Sequence, residues 1–234
     1  MISLKAQAAR PDQILIAKVM DATDREAVRR VAAETLKELG GIDVVITNAG
    51  RALLGWAHEM PDSFFDEEVQ VNYMGQVNVV RAFLPTLLAQ KHGNLCLVSS
   101  MLGFMGSFGY AAYCGTKYAV AGFAEALRHE LKPQGVKVTL LFTPTIKTPG
   151  LEEENKLKPK SVWLYESENA FTVVLEPQKV AAVMLEAVAK GRFELTVGFL
   201  NRVVWFMFRH FPGFSRWMSD DEAQKAVKKA AARA

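Results

Sequence analysis

The chain has 234 residues, half of them apolar, enough to bury one sizeable core in a single domain. A net charge of +3 gives no electrostatic footprint for a nucleic-acid partner. Its two cysteines make no disulfide framework and point to a reducing compartment.

Residues 1–10 read as the tail of a helix and lack the apolar core of a signal peptide. ILIAKVMDATD predicts a strand followed by a loop, and DREAVRRVAAETLKELG an amphipathic helix capped by Thr23 or Asp24. IDVVIT predicts a second strand, ending at Asn48, Ala49 and Gly50. The stretch 62–90 reads as mainly helical with Asn72 inside it, a position where Asn is ordinarily solvated or tied to a kink. NLCLVSS is a continuous apolar run, the pattern of a buried parallel strand. Ser100 at its C-terminal end stands where open α/β sheets bind ligands. No G-x-S-x-G elbow surrounds it, so acyl hydrolysis is set aside.

The helix AAYCGTKYAVAGFAEALRHEL places Tyr113 and Lys117 four residues apart on one face. A phenol titrates near ~10, and a neighbouring cation lowers that value toward the range useful for proton transfer. Taken alone, such a pair is an ordinary surface pattern. Cys96, in the apolar run, and Cys114, beside Tyr113, read as small buried hydrophobes, with Cys114 close enough to the site to be open to modification. VKVTLLF predicts another buried strand, and 160–175 a mobile flap over the site. EPQKVAAVMLEAVAKG predicts a helix with Pro177 near its first position, and FELTVG a last strand.

FLNRVVWFMFRHFPGFSRWM is aromatic but carries Arg202, Arg209 and His210, and Pro212-Gly213 should break it. A spanning helix wants about 20 nearly uncharged residues. Two readings stay open: a cover over the sheet or dimer interface, and a helix lying in a membrane interface. DDEAQKAVKKAAARA reads as a solvated helical tail. His58, His92, His129 and His210 have no metal-ligand spacing, so no metal is expected.

Asn48-Ala49-Gly50, Asn72, Ser100 and Tyr113-x-x-x-Lys117, in this order, resemble the short-chain dehydrogenase/reductase family over about residues 21–150. The resemblance implies an α/β fold, a Rossmann-like doubly wound parallel sheet, and an NAD(P)H-dependent oxidoreductase. It implies that Ser100 and Tyr113 bind a ketone oxygen. Tyr113 would give the proton and Lys117 would lower its pKa and hold the nicotinamide ribose. The Asn72 carbonyl would hold a relay water. On the cofactor side it implies Asp21 at the adenine amino group, for which a helix cap is the alternative, Asn48, Ala49 and Gly50 beside the adenine ribose, and Thr148 at the carboxamide. Pro144 stands where the family usually has Gly.

TPG, EEN and KP within 148–159, with GYAAYCGTKYAVAGFAEAL, are similar to the 3-ketodihydrosphingosine reductase branch. That branch implies NADPH, with NADH left open, and a lipid-like ketone. The other partners expected are a second copy of the chain in a homo-oligomer and a peripheral membrane surface met by the aromatic segment. The implied location is cytoplasmic, at the cytosolic face of a membrane where that segment docks.

No Gly-rich fingerprint precedes Asp21, so the family's opening βαβ half is expected to be missing, and with it most phosphate and ribose contacts. A fragment, a mis-started gene product and a protein that has lost its activity all fit. Survival of the catalytic-type residues favours a truncated ancestral reductase. Loss of a central strand should leave apolar edges open. The expected organisation is an N-terminally truncated dinucleotide-binding and catalytic domain over 1–197 and a C-terminal helical extension over 198–234. Two other functions compete: reduction of another lipid or steroid ketone, and a catalytically dead binding form.

Overall fold

The computed structural model describes residues 12–168 and 173–232. Its main sheet holds four parallel strands, β1 (Val44–Thr47), β2 (Asn94–Ser100), β3 (Lys137–Thr143) and β6 (Glu194–Thr196), in the order β1-β2-β3-β6. Every residue of β2 is buried, as its unbroken apolar run requires of a strand covered on both faces. The β2–β3 register pairs Ser100 with Thr143, so both strands end on the same edge. A short parallel pair, β4 (Thr145–Ile146) with β5 (Val174–Leu175), lies just beyond it.

The pleat divides the core between the two faces. Leu95, Leu97, Val138, Leu140 and Phe142 pack against Val80 and Leu87 of α3 (Gly75–Gln90) and Val120, Ala124 and Leu127 of α4 (Ala111–Leu131). Val98 and Leu141 point the other way, onto Val180 of α7 (Pro177–Lys190). Each such aliphatic side chain contributes about 1.5–3 kcal/mol by leaving water. Helix α1 (Arg25–Leu39) packs on α3 and is capped by Asp24, whose carboxylate accepts the N–H groups of Glu26 and Ala27 at 3.0 Å. Thr23 does not cap it.

The segment expected as a strand at Ile14–Met20 is not one. A strand needs a neighbour for its backbone groups, and this segment pairs with none in the described sheets. Lys18 instead ties it to α1, 3.2 Å from Glu34 and 2.5 Å from Glu38. Ile14 is left 75% exposed and Val19 100%. Among the described residues β1 ends the sheet, and its Val44 and Ile46 are also partly open to solvent.

The expected mobile flap is, over Lys160–Glu168, a helix (α6) with Val162, Leu164 and Tyr165 buried. It follows α5 (Pro149–Leu157). Residues 169–172 of that flap, and the reading of residues 1–10, lie outside the described residues. The aromatic stretch forms α8 (Phe199–His210) and then α9 (Pro212–Ala232), broken at the Pro-Gly pair. The end of α9 is not a solvated tail. Ala226 is buried against Leu164 and Tyr165, because its alanine-rich face admits close approach of α6.

Candidate active site

At the carboxyl edge of β2 and β3 the structure opens into a cavity of about 540 Å³. Asn48, Gly50, Ser100, Tyr113, Lys117 and Thr148 all line it. Pro144 lines it too, and Thr148 also caps α5, its hydroxyl oxygen accepting the Leu151 N–H at 3.2 Å. Ser100 ends β2, and its Oγ accepts the Leu102 N–H at 3.2 Å.

One turn of α4 separates Tyr113 from Lys117, and both face the end of β2. Lys117 is 4% exposed, and its Nζ donates to the Val98 carbonyl at 3.3 Å. Burial pulls its ammonium down to about 8, with the Glu68 carboxylate opposing that fall. Burial holds the Tyr113 phenol above its ordinary range, and the Ser100 hydroxyl acts in the opposite sense. The expectation that Lys117 brings Tyr113 down is therefore corrected for this structure. The ammonium sits 5.4 Å from the centroid of the Tyr113 ring and is turned to Val98, so desolvation wins.

Asn72 is fully buried in a π-helical stretch, Val69–Met74, between α2 (Asp62–Glu68) and α3. Such a bulge explains how an Asn is held mid-helix. Its Oδ1 accepts the Arg51 N–H and its Nδ2 donates to the Arg51 carbonyl, both at 2.9 Å. The Asn72 side chain thus clamps the loop after β1. Its own carbonyl accepts from Gln76 Nε2 at 3.1 Å.

Two expected cofactor contacts stand apart from the cavity. Ala49 is exposed and does not line it. The Asp21 carboxylate accepts from both the N–H and the hydroxyl of Thr23 at 2.8 Å, which hold it below its usual range. Asp21 is not the cap of α1. Cys96 and Cys114 are buried; burial pushes the Cys96 thiol up to about 12 and raises that of Cys114, so neither has thiolate character.

The donor set fits the nicotinamide-ribose end of a dinucleotide. A Cβ on Gly50 would lie 3.1 Å from Asn72 Oδ1 and 3.3 Å from Lys117 Nζ, so glycine keeps that approach open. The phosphate end finds no such cradle among the described residues. The N-terminus of α1 is already filled by the Asp24 carboxylate, which repels an anion.

Two features of the site escape a reading of the sequence. Glu68 is 0% exposed beside Asn72, yet within the helical stretch DSFFDEEV nothing sets it apart from the acidic residues beside it. Lys158, buried, lies 3.0 Å from Glu154 and 2.5 Å from Glu166, and the Tyr110 hydroxyl sits within hydrogen-bond distance of both carboxylates, with one proton to share between them. This cluster staples α5 and α6 to the start of α4. The EEN and KP segments are the trace it leaves in the sequence, without showing what they touch.

A parallel sheet with helices on both faces and a polar site at its carboxyl edge defines the Rossmann-like α/β class. A family model described as short chain dehydrogenase matches residues 3–158, and the chain belongs to that family. Over 185 residues it is 34% identical to a 3-ketodihydrosphingosine reductase of Mus musculus, covering 79% of this chain and 55% of that one. A 3-dehydrosphinganine reductase of Danio rerio is 35% identical with the same coverage. Epidermal retinol dehydrogenase 2 of Homo sapiens is 30% identical over 80% of this chain and 57% of its own. The chain thus spans about half the length of these relatives. Among solved structures, a short-chain dehydrogenase from Streptomyces avermitilis has a TM-score of 0.68 at 24% identity, covering 88% of this chain and 78% of that one. ElxO with NADP bound has a TM-score of 0.67 at 23% identity, covering 76% and 74%. Both show the same fold.

Proposed function

We propose that the chain reduces a lipid-like ketone of the 3-ketodihydrosphingosine kind with NADPH. The observation that carries this reading is the convergence of Ser100, Tyr113 and Lys117 on one cavity, with Leu102, Met105, Ile146 and Val204 among its apolar walls. The substrate class comes from the names of the Mus musculus and Danio rerio relatives. Tyr113, Lys117 and Thr148 would hold the nicotinamide end, and Asn48 and Gly50, with Ala49, the adenine ribose. Asp21 and Ala49 would reach the adenine side only across the surface outside the cavity. When bound, NADPH supplies a hydride to the carbonyl carbon.

The chain's own residues handle the oxygen. Ser100 and Tyr113 donate hydrogen bonds to it, and the Tyr113 phenol gives up its proton as the alkoxide forms. A neutral phenol is the right donor at neutral pH, and burial keeps Tyr113 in that form. Lys117, with its ammonium 5.4 Å from the centre of the Tyr113 ring, would place positive charge near the phenolate left behind, against the desolvation that dominates at Tyr113. Asn72 holds the loop that faces both groups.

The division into a truncated catalytic domain over 1–197 and an extension over 198–234 belongs to this reading, with Asn201 and Val204 of the extension closing one cavity wall. So do a homo-oligomer and a peripheral contact of α8 and α9 with the cytosolic face of a membrane. Among the described residues no helix is long and apolar enough to cross one. The retinol dehydrogenase match favours a second reading, reduction of another lipid or steroid ketone.

Fluorescence titration of the purified chain with NADPH, with NADH as comparator, tests the proposal. Micromolar NADPH binding followed by ketone-dependent oxidation of NADPH is the expected result. A folded chain that binds neither nucleotide at millimolar concentration is a binding form without reductase activity.

A further inference from the structure

We infer that Glu68 is a positioning residue of this site, one that fixes the Asn72 amide and the Arg51–Leu53 backbone and serves as the buried counter-charge of Lys117. Its carboxylate projects from the last turn of α2 and is wholly buried. One oxygen accepts the Leu53 N–H, and the other lies 3.3 Å from Asn72 Nδ2. An ionised carboxylate only accepts hydrogen bonds. Together with the Arg51 carbonyl and the Thr116 hydroxyl, which take the same Nδ2 at 2.9 and 3.3 Å, it holds the amide nitrogen inward and so leaves Oδ1 for the Arg51 N–H. A Gly50 Cβ would meet Asn72 Oδ1 at 3.1 Å and Lys117 Nζ at 3.3 Å, so the oriented amide oxygen and the ammonium border the same point. Carboxylate, amide and ammonium stand in sequence from the interior to the cavity.

Burying a carboxylate in this way is costly unless its charge is used. The charged and titratable groups facing Glu68 come from three elements. Lys117 of α4 and Arg51 of the loop after β1 favour its ionised form, while Glu154 of α5 opposes it. Tyr113 and Cys114 of α4 feel its charge in turn. Burial lifts Glu68 to about 7 and lowers Lys117 to about 8, so both carry charge in the interval between. A glutamine would keep the shape and one of the two hydrogen bonds but lose the counter-charge.

The inference rests on the proposed function only where it concerns cofactor affinity; the coupling to Lys117 can be read without turnover. The test is a pH titration of chain carrying 13Cε-labelled lysine, with the Lys117 resonance assigned through Lys117→Arg. It is run on the wild-type chain, Glu68→Gln and Glu68→Asp, alongside NADPH titrations at pH 7 and pH 8. In Glu68→Gln the Lys117 midpoint should fall below its wild-type value, with NADPH binding about tenfold weaker at pH 8. Glu68→Asp should restore most of the midpoint. A folded Glu68→Gln whose Lys117 midpoint is unmoved overturns the inference, even where its melting temperature drops, because a merely structural carboxylate predicts that pattern. Should Glu68→Gln fail to fold, the reciprocal measurement decides: in chain carrying 13Cδ-labelled glutamate, Lys117→Met should raise the Glu68 midpoint, and a Glu68 midpoint unmoved by Lys117→Met overturns the inference. A wild-type chain that binds no NADPH removes the reductase reading alone, and the lysine titration still decides the role of Glu68.

Discussion

Removing the hydroxyl of Tyr113 separates its proton from its packing. Tyr113→Phe keeps the ring that packs with Val162 and Tyr110 while deleting the donor to the ketone oxygen. Turnover, followed as NADPH oxidation, should fall by about 10²–10⁴-fold with little change in melting temperature; retained turnover would sink the assignment. Glu68 gives a pH prediction. Its folded value of about 7 lies above its ordinary 4.5, so the folded state binds the extra proton between those values. Stability should therefore decline as pH rises from about 4.5 to 7, by an amount on the order of 1–3 kcal/mol. Urea midpoints should show this decline in the wild type and a flatter profile in Glu68→Gln. At this scale the sequence was readable where chemistry is tied to spacing, as in Tyr113 and Lys117 on one helical face. Glu68 was not readable, because only packing tells a buried glutamate from a solvated one.

Helices α5 and α6, beside the site, are joined to α4 by side chains rather than by a backbone ladder. Lys158 lies between Glu154 and Glu166 beneath Tyr110, so α5 and α6 are fastened to α4 by one buried cation. Lys158→Met removes that cation and leaves two partly buried carboxylates facing each other, which should cost about 3–5 kcal/mol if the cluster stays closed. Opening of α5 and α6 relieves part of that cost. Hydrogen exchange should accordingly speed up in 149–168 while β2 and β3 stay protected, and Glu154→Gln on the Lys158→Met background should recover part of the loss. Exchange that rises uniformly across the chain would argue against a local staple. Periodicity found β2, β3, α4 and α7 because each carries its own burial pattern. It misread Ile14–Met20, whose strand-like residues lack a neighbour, and the end of α9, whose polar composition conceals an alanine face packed on α6.

Over the whole molecule, alternating strands and helices build a parallel sheet covered on both faces, the architecture that the family resemblance implied without giving the order of its strands. The direction α8 faces was not legible either, because its apolar residues serve two surfaces. Asn201 and Val204 line the cavity and Trp205 packs against the core, whereas Phe199 is 84% exposed, and Val203, Phe206 and His210 share its helical face. Phe211, Phe214 and the 64% exposed Trp217 continue the apolar surface, with Arg202 and Arg216 exposed among them. Aromatics flanked by arginines suit the boundary of an anionic bilayer. A helix with one side on the cavity and the other on lipid would place the site beside the lipid-like substrate proposed for it. The chain should co-sediment with phosphatidylcholine vesicles containing phosphatidylserine, and less so as salt rises. Phe206 and Trp217 each have roughly half a side chain to immerse, worth about 1 kcal/mol apiece. Phe206→Ser with Trp217→Ser should thus lower the partition coefficient by at least about tenfold, at 1.4 kcal/mol per decade. If the double variant partitions like the wild type, α8 and α9 do not touch lipid. If the same substitutions instead lower the mass seen by light scattering, this face is the contact between two copies of the chain.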